Sequence, residues 1–199
     1  MFIGVTGGVG AGKSTILQIL EDKYNAHIIM ADDVARELMI KGKASYRAIV
    51  KEFGDDILRE DGEIDRQKLA EIVFQDEEKL NKLNSIVHPL VRKAIVKEQK
   101  QVNKKDPERL VVLEAALLIE AGYKEILDEL WGVIVQKEIR IQRLMDSRGY
   151  TREKSESIIA NQLSDEEFRE HCDFIIDNSG TLEDTAEQIR KHFERDQDR

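Results

Sequence analysis

Residues 7–14 read GGVGAGKS, a full match to the pattern GxxxxGK[ST], and they follow the apolar run 2–5, which reads as a buried strand. The residue types suit the binding of a phosphate chain. The glycines of this run, at 7, 8, 10 and 12, let the backbone turn through positive φ, so that successive N–H groups around Val9, Ala11 and Thr15 can face one anion. Lys13 carries a mobile cation toward the β and γ oxygens, and Ser14 offers a hydroxyl to Mg2+. Ile16, Leu17, Ile19 and Leu20 then continue as a helix whose N-terminus points at the same anion. A nucleoside triphosphate is the ligand this arrangement implies.

The phosphate loop alone does not separate switches, motors and kinases. Asn103, Lys104 and Asp106 spell NKxD, and residues 177–180 spell DxxG, both of them GTPase signatures. The context opposes that reading. Val91, Ala94, Ile95 and Val102 describe an amphipathic helix rather than a strand end, and the two motifs stand in reversed order. The edge of the second apolar run is more informative, because Asp32 there can accept a proton from an attacking hydroxyl or hold a metal-bound water. Arg36, one helical turn on, can fork onto an anionic substrate. Asp32 has a second reading as the N-cap of a helix over 33–39.

The elements that must position these groups follow from the apolar pattern. Strands are expected at 2–6, 27–30, 110–114, 131–136 and 173–176, short and Val/Ile-rich as in a parallel sheet covered on both faces. About eighty residues between the second and third strands are helical in pattern, with Asp65 capping a helix over 66–74 and Asp76 one over 77–87. Between the fourth and fifth strands, helices at 138–148 and 152–163 join at Gly149, and Ser164 with Glu167 forms a capping box. This charged helical segment reads as a movable lid. Thr181 caps a last helix over 182–193, and 196–199 is expected to fray.

Composition bounds the rest. The chain has 199 residues, 41% of them hydrophobic, enough for one α/β domain with insertions. With 40 acidic against 31 basic side chains, a net charge of −9 argues against a broad nucleic-acid or anionic membrane surface. The single cysteine, Cys172, offers no intrachain disulfide and no thiolate metal site, as expected in a reducing cytoplasm. No apolar run approaches a membrane span, and a first strand starting at Phe2 leaves no room for a leader.

The blocks GVTGGVGAGKST, ADDVAR, FGDDIL, DGEIDRQKLAEIVF, LNSIVHPLV, EAALLIEAGY and DFIIDNSGTLED together resemble the dephospho-coenzyme A kinase family, in the same order and over nearly the whole chain. The loop motif is shared widely among triphosphate enzymes, whereas ADxxAR, the HPL triplet and the LLIE block are more particular. The resemblance implies an α/β fold of the P-loop NTPase type, a five-stranded parallel sheet flanked by helices. It places the core at 1–32, 108–137 and 171–195, an acceptor-binding helical insertion at 33–107 and a lid at 138–170. The implied reaction moves the γ-phosphoryl of ATP, with Mg2+, onto the ribose 3′-hydroxyl of dephospho-coenzyme A. A cytoplasmic monomer or weak homo-oligomer without nucleic-acid or membrane partners is implied.

By the same resemblance Asp32 is the general base, Arg36, His88 and Glu120 line the acceptor pocket, and Asn178 contacts adenine. Arg140, Arg143 and Arg148 are lid arginines for ATP, with Arg143 nearest the chemistry, and Asp32 and Glu114 can reach the metal through water. Blander readings stand beside these: surface ion pairs for the arginines, a histidine packed at a helix break forced by Pro89, a loop asparagine of unusual φ, and a helix-capping Glu114. Departures from the family pattern fall at Met30, where an acid is common, at Ala116 in place of a proline, and at Ser147 in the DSRGYT segment. Another small-molecule kinase, such as one for nucleoside monophosphates, and a non-catalytic ATP-binding module are the competing functions.

Overall fold

The structure, a computed structural model, describes residues 1–197, so of the tail expected to fray only Asp198 and Arg199 lie outside the described residues. Five strands, β1 (Phe2–Gly7), β2 (His27–Met30), β3 (Val111–Glu114), β4 (Glu129–Ile134) and β5 (Phe174–Asp177), form one sheet in the order β2-β3-β1-β4-β5. Strand β1 is central and buried along its whole length. It pairs in parallel with β3, Val5 opposite Glu114, and with β4, Thr6 opposite Gly132. This register brings the phosphate loop and Glu114 to the same carboxyl edge, the edge where open α/β sheets bind ligands.

Helix α1 (Lys13–Tyr24) follows the loop and buries Ile16, Leu17, Ile19 and Leu20; it stops at Asn25, whose φ of 51° sits in the left-handed region favoured at helix ends. The fourth strand runs two residues earlier than the apolar run 131–136 suggests. Gln136 has left the sheet to begin α6 (Lys137–Arg148), its carbonyl accepting the Arg140 N–H at 3.0 Å and its own N–H donating to Ser179 Oγ at 2.8 Å. Helices α7 (Arg152–Ala160) and α8 (Asp165–His171) follow, the second opened by the Ser164–Glu167 capping box that its sequence indicates. The last helix, α9 (Leu182–Gln197), packs His192 and Phe193 around the fully buried Trp131 with Phe174.

The chain divides into two compact units, one of Met1–Ile29 with Lys105–Arg199 and one of Met30–Lys104. The helices expected as a lid over 138–170 cluster with the sheet unit. The second unit contains α2 (Ala31–Leu38), α3 (Ala44–Phe53), α4 (Arg66–Phe74) and most of α5 (Glu77–Lys105) around a core of Ile49, Ile57, Ile64, Leu69 and Val73. Asp65 caps α4 by accepting the Lys68 N–H at 3.1 Å.

Two local expectations are corrected. Helix α5 does not break at Pro89 but continues to Lys105. The carbonyl deprived of its partner belongs to Ser85, which like Pro89 is exposed, so water can satisfy it. Leu80, Leu83, Ile86 and Val87 pack on the core before the proline while Val91 and Ile95 are buried after it. Asn103 and Lys104 of the NKxD string sit inside this helix. Helix α2, for its part, starts at Ala31 with Met30 in the cap position, so Asp32 lies within the first turn and is not the cap.

Cys172 packs its sulfur against β4 at Gly132, and desolvation pushes its thiol up to about 12. Thiolate is the reactive form, so alkylation of the native protein by iodoacetamide near pH ~8 is expected to run on the order of 10³-fold slower than in urea. Mass spectrometry of labelled protein over time checks this; equal rates in the two states contradict the packing.

Candidate active site

The loop from Gly7 to Ser14 is closed by its own backbone and by side chains from distant segments. Gly10 and Gly12 both have φ of 83°, whereas Gly8, against expectation, does not take positive φ and is glycine because a Cβ there would collide with the Arg140 guanidinium; the Ala11 N–H donates to the Gly8 carbonyl at 3.1 Å. At Gly12 a glycine is required twice over, by its φ and because a Cβ there would collide with the Asn178 amide nitrogen. Lys13 folds its ammonium back onto the Gly7 carbonyl at 2.9 Å and pairs with Glu114 at 3.4 Å. Both contacts are ones that phosphate oxygens can replace. Ser14 is exposed and Thr15 partly so in the first turn of α1, where its N-terminal dipole favours anions.

Helix α6 supplies the arginines. Arg140 is buried at 7% exposure and donates from Nε to the Val9 carbonyl at 2.6 Å, while its Nη2 donates to Gln162 Oε1. Burial pulls its pKa below the ordinary guanidinium range and Asp165 pushes it back up, yet a guanidinium stays protonated. Arg143, on the same face by its i,i+3 spacing, donates from Nη2 to the Asn178 carbonyl at 3.0 Å; its Nη1 is sequestered from solvent and has no hydrogen-bond partner among the described residues. An unpaired buried N–H of a cation beside Gly12 is a donor waiting for an anion. Arg148 ends α6 and is exposed.

The Asn178 amide, expected at adenine, is turned into the protein. The side chain is 4% exposed, with Nδ2 donating to the Ala11 carbonyl at 2.9 Å and Oδ1 accepting from Thr185 at 3.0 Å. It braces the loop from within. Glu114 likewise caps no helix but faces Lys13.

Gln162 carried no signal in the sequence. Its Oε1 accepts the Val9 N–H at 3.1 Å as well as Arg140, so a carbonyl oxygen occupies two donors that an anion can claim. The partners are separated by 153 positions, a distance that motif spacing cannot bridge. Gln162 also lines a cavity of about 350 Å3 with Gly7, Gly8, Ala116, Leu117 and Glu120, which places the exposed Glu120 at the mouth of the loop.

In the second unit, Asp32 and Arg36 lie four residues apart on α2, both exposed. Arg36 is held by Asp33 at 2.6 Å, and Arg66 donates to its carbonyl at 3.3 Å. The Asp32 carboxylate has no partner among the described residues. His88 is exposed on the unbroken α5, which removes the reading as a histidine packed at a helix break. A cavity of about 560 Å3 opens beside the end of α2, lined by Met39, Ile40, Arg59, Glu63, Asp65 and Arg66 among others.

The dephospho-CoA kinase family model matches residues 1–184, nearly the full chain. The chain belongs to the dephospho-CoA kinase family. A dephospho-CoA kinase of Carboxydothermus hydrogenoformans is 43% identical over 187 residues, covering 94% of this chain and 90% of that protein. One from Aquifex aeolicus is 40% identical, covering 96% and 95%. Among solved structures, a Thermus thermophilus protein superposes with a TM-score of 0.81 at 30% identity, covering 98% of this chain and 97% of that one. A Bacteroides thetaiotaomicron shikimate kinase at 14% identity, TM-score 0.55, covering 98% of each chain, shares the fold alone. Both the family and the fold neighbours make this a P-loop kinase fold.

Proposed function

We propose that this chain transfers the γ-phosphoryl group of ATP to the ribose 3′-hydroxyl of dephospho-coenzyme A, giving coenzyme A and ADP in the last step of coenzyme A synthesis. The observation that carries the reading is a family match over residues 1–184 on a chain whose phosphate loop is glycine-shaped, cationic and backed by the buried Arg140 and by a partly buried Arg143 with an open Nη1 donor. Lys13 exchanges the Gly7 carbonyl and Glu114 for β and γ oxygens, neutralising charge as the phosphoryl leaves. Arg143 turns its free Nη1 onto the same group, and the exposed Arg148 completes the cationic shell. Arg140 acts through the loop it holds.

Asp32 receives the proton of the attacking hydroxyl late in the transfer, a task for which an exposed carboxylate without an ion-pair partner is suited. Arg36, His88 and Glu120 bind the acceptor. The Ser14 hydroxyl, with Glu114 through water, would offer oxygen donors of the kind Mg2+ prefers; a bound ion would supply charge neutralisation of the β and γ oxygens. Among the described residues no helix is long and apolar enough to cross a membrane, and the acidic balance opposes a broad nucleic-acid surface, in keeping with a cytoplasmic monomer or weak homo-oligomer.

A coupled ADP assay tests the substrate. Turnover is expected with dephospho-coenzyme A and only background with AMP, CMP or UMP. Preference for a nucleoside monophosphate makes the chain a different P-loop kinase, and ATP binding without transfer to any acceptor makes it a regulatory module.

A further inference from the structure

Asn178 ties together three segments that are remote in sequence. It follows β5 directly, and its backbone N–H donates to the Ile134 carbonyl at 2.9 Å, which pins its Cα to the sheet edge. From that fixed point its carbonyl receives Arg143, its Nδ2 holds the Ala11 carbonyl, and its Oδ1 is held by the Thr185 hydroxyl of α9. Thr185 is 0% exposed, and its hydroxyl also lies 3.1 Å from the Thr181 carbonyl.

The geometry of the peptide bond gives this chain of contacts a consequence at the ligand. The Ala11 carbonyl and the Gly12 N–H belong to one planar trans unit, so they point in opposite directions. Fixing the carbonyl inward on Asn178 therefore fixes the Gly12 N–H outward, where the phosphates bind. The brace works only with one orientation of the asparagine amide. Flipped, it would set Oδ1 against the Ala11 carbonyl, oxygen against oxygen. The Ala11 carbonyl, which can only accept, selects the orientation; Thr185 anchors it, because with Nδ2 committed to Ala11 the Oδ1 atom is held in place by the Thr185 hydroxyl at 3.0 Å.

We propose that Thr185 is a positioning residue for the triphosphate: through the Asn178 amide it sets the orientation of the Ala11–Gly12 peptide, and so the affinity of the loop for ATP. Neither residue needs to touch the nucleotide with its side chain. The inference rests on the reading that the loop binds ATP, and it does not depend on which acceptor is phosphorylated.

The test compares Thr185→Val, which keeps the shape and removes the donor, with Thr185→Ser, which keeps the donor. A fluorescent ATP analogue gives affinity by titration, steady-state kinetics give KM for ATP and for dephospho-coenzyme A, and a thermal melt gives Tm. Thr185→Val is expected to weaken the analogue and raise KM for ATP by roughly 10-fold, the effect of misorienting one donor to a charged group. KM for dephospho-coenzyme A stays within about 2-fold, and Thr185→Ser restores ATP affinity to within the same factor. A lowered Tm with wild-type ATP affinity makes the role purely structural and overturns the proposal, as does an equal rise in both KM values. Thr185→Ala adds no atoms to the pocket and carries the same expectation if the valine variant does not fold; if neither folds, the hydroxyl serves the fold and the proposal falls. Should the wild type fail to phosphorylate dephospho-coenzyme A while Thr185→Val still weakens the analogue, the functional reading fails and the brace stands.

Discussion

Replacing Lys13 by methionine is expected to lower kcat/KM by about 10³-fold, the largest loss from any single side chain in the protein. The reason lies in what its ammonium touches. It rests on the Gly7 carbonyl at 2.9 Å and on Glu114 at 3.4 Å, two oxygens that hold a cation at the mouth of the loop until phosphate oxygens replace them. Methionine keeps much of the stem and removes only the charge, so the loss is expected in kcat more than in ATP affinity, which the backbone amides still supply. Lys13→Arg is not expected to rescue, because a planar fork does not fit a point where a single mobile ammonium is used. Steady-state kinetics with the coupled ADP assay, alongside analogue binding, measure both parameters. Near wild-type kcat in Lys13→Met would remove the phosphate loop from the chemistry altogether.

Asp32→Asn is expected to reduce kcat by roughly 10²- to 10³-fold while KM for ATP stays close to wild type. Asparagine has almost the same volume, and Asp32 is exposed in the first turn of α2, so the fold tolerates the change. The neighbouring carboxylate provides an internal control. Asp33 is bound to Arg36 at 2.6 Å, so its carboxylate is already engaged, and Asp33→Asn is expected to act on the KM of the acceptor through Arg36 instead. Activity retained by Asp32→Asn and lost by Asp33→Asn would assign the base to the wrong member of the pair. Met30 occupies the cap position of α2, so no acid stands at that position to help Asp32.

Local chemistry was legible from the chain because it is written in neighbouring residues. The spacing of GGVGAGKS, the Asp65 cap and the Ser164–Glu167 capping box depend on residues a few positions apart, and each appears where the sequence puts it. Errors arose where a local rule competed with packing. Pro89 breaks an isolated helix, yet α5 runs through it because apolar contacts on both sides hold the axis and solvent satisfies the one carbonyl it frees. The apolar run 131–136 marks burial correctly, but Val135 is buried beyond the strand end, so burial and strand limits part.

By itself, then, the sequence determined which family the chain joins and that its first loop is shaped for a phosphate chain, since these reside in short motifs and in residue identity. Only the tertiary structure decided how the residues around that loop are used: that Asn178 turns inward to the Ala11 carbonyl, that Gln162 occupies donors at Val9 and Arg140, and that Arg143 retains an unpaired buried N–H. Such contacts join positions 11, 162, 178 and 185, which meet because parallel strands and their crossover helices deliver remote loops to one sheet edge. Hydrogen-bond direction at that edge depends on where each backbone has been fixed by the fold, and no spacing within the chain encodes it.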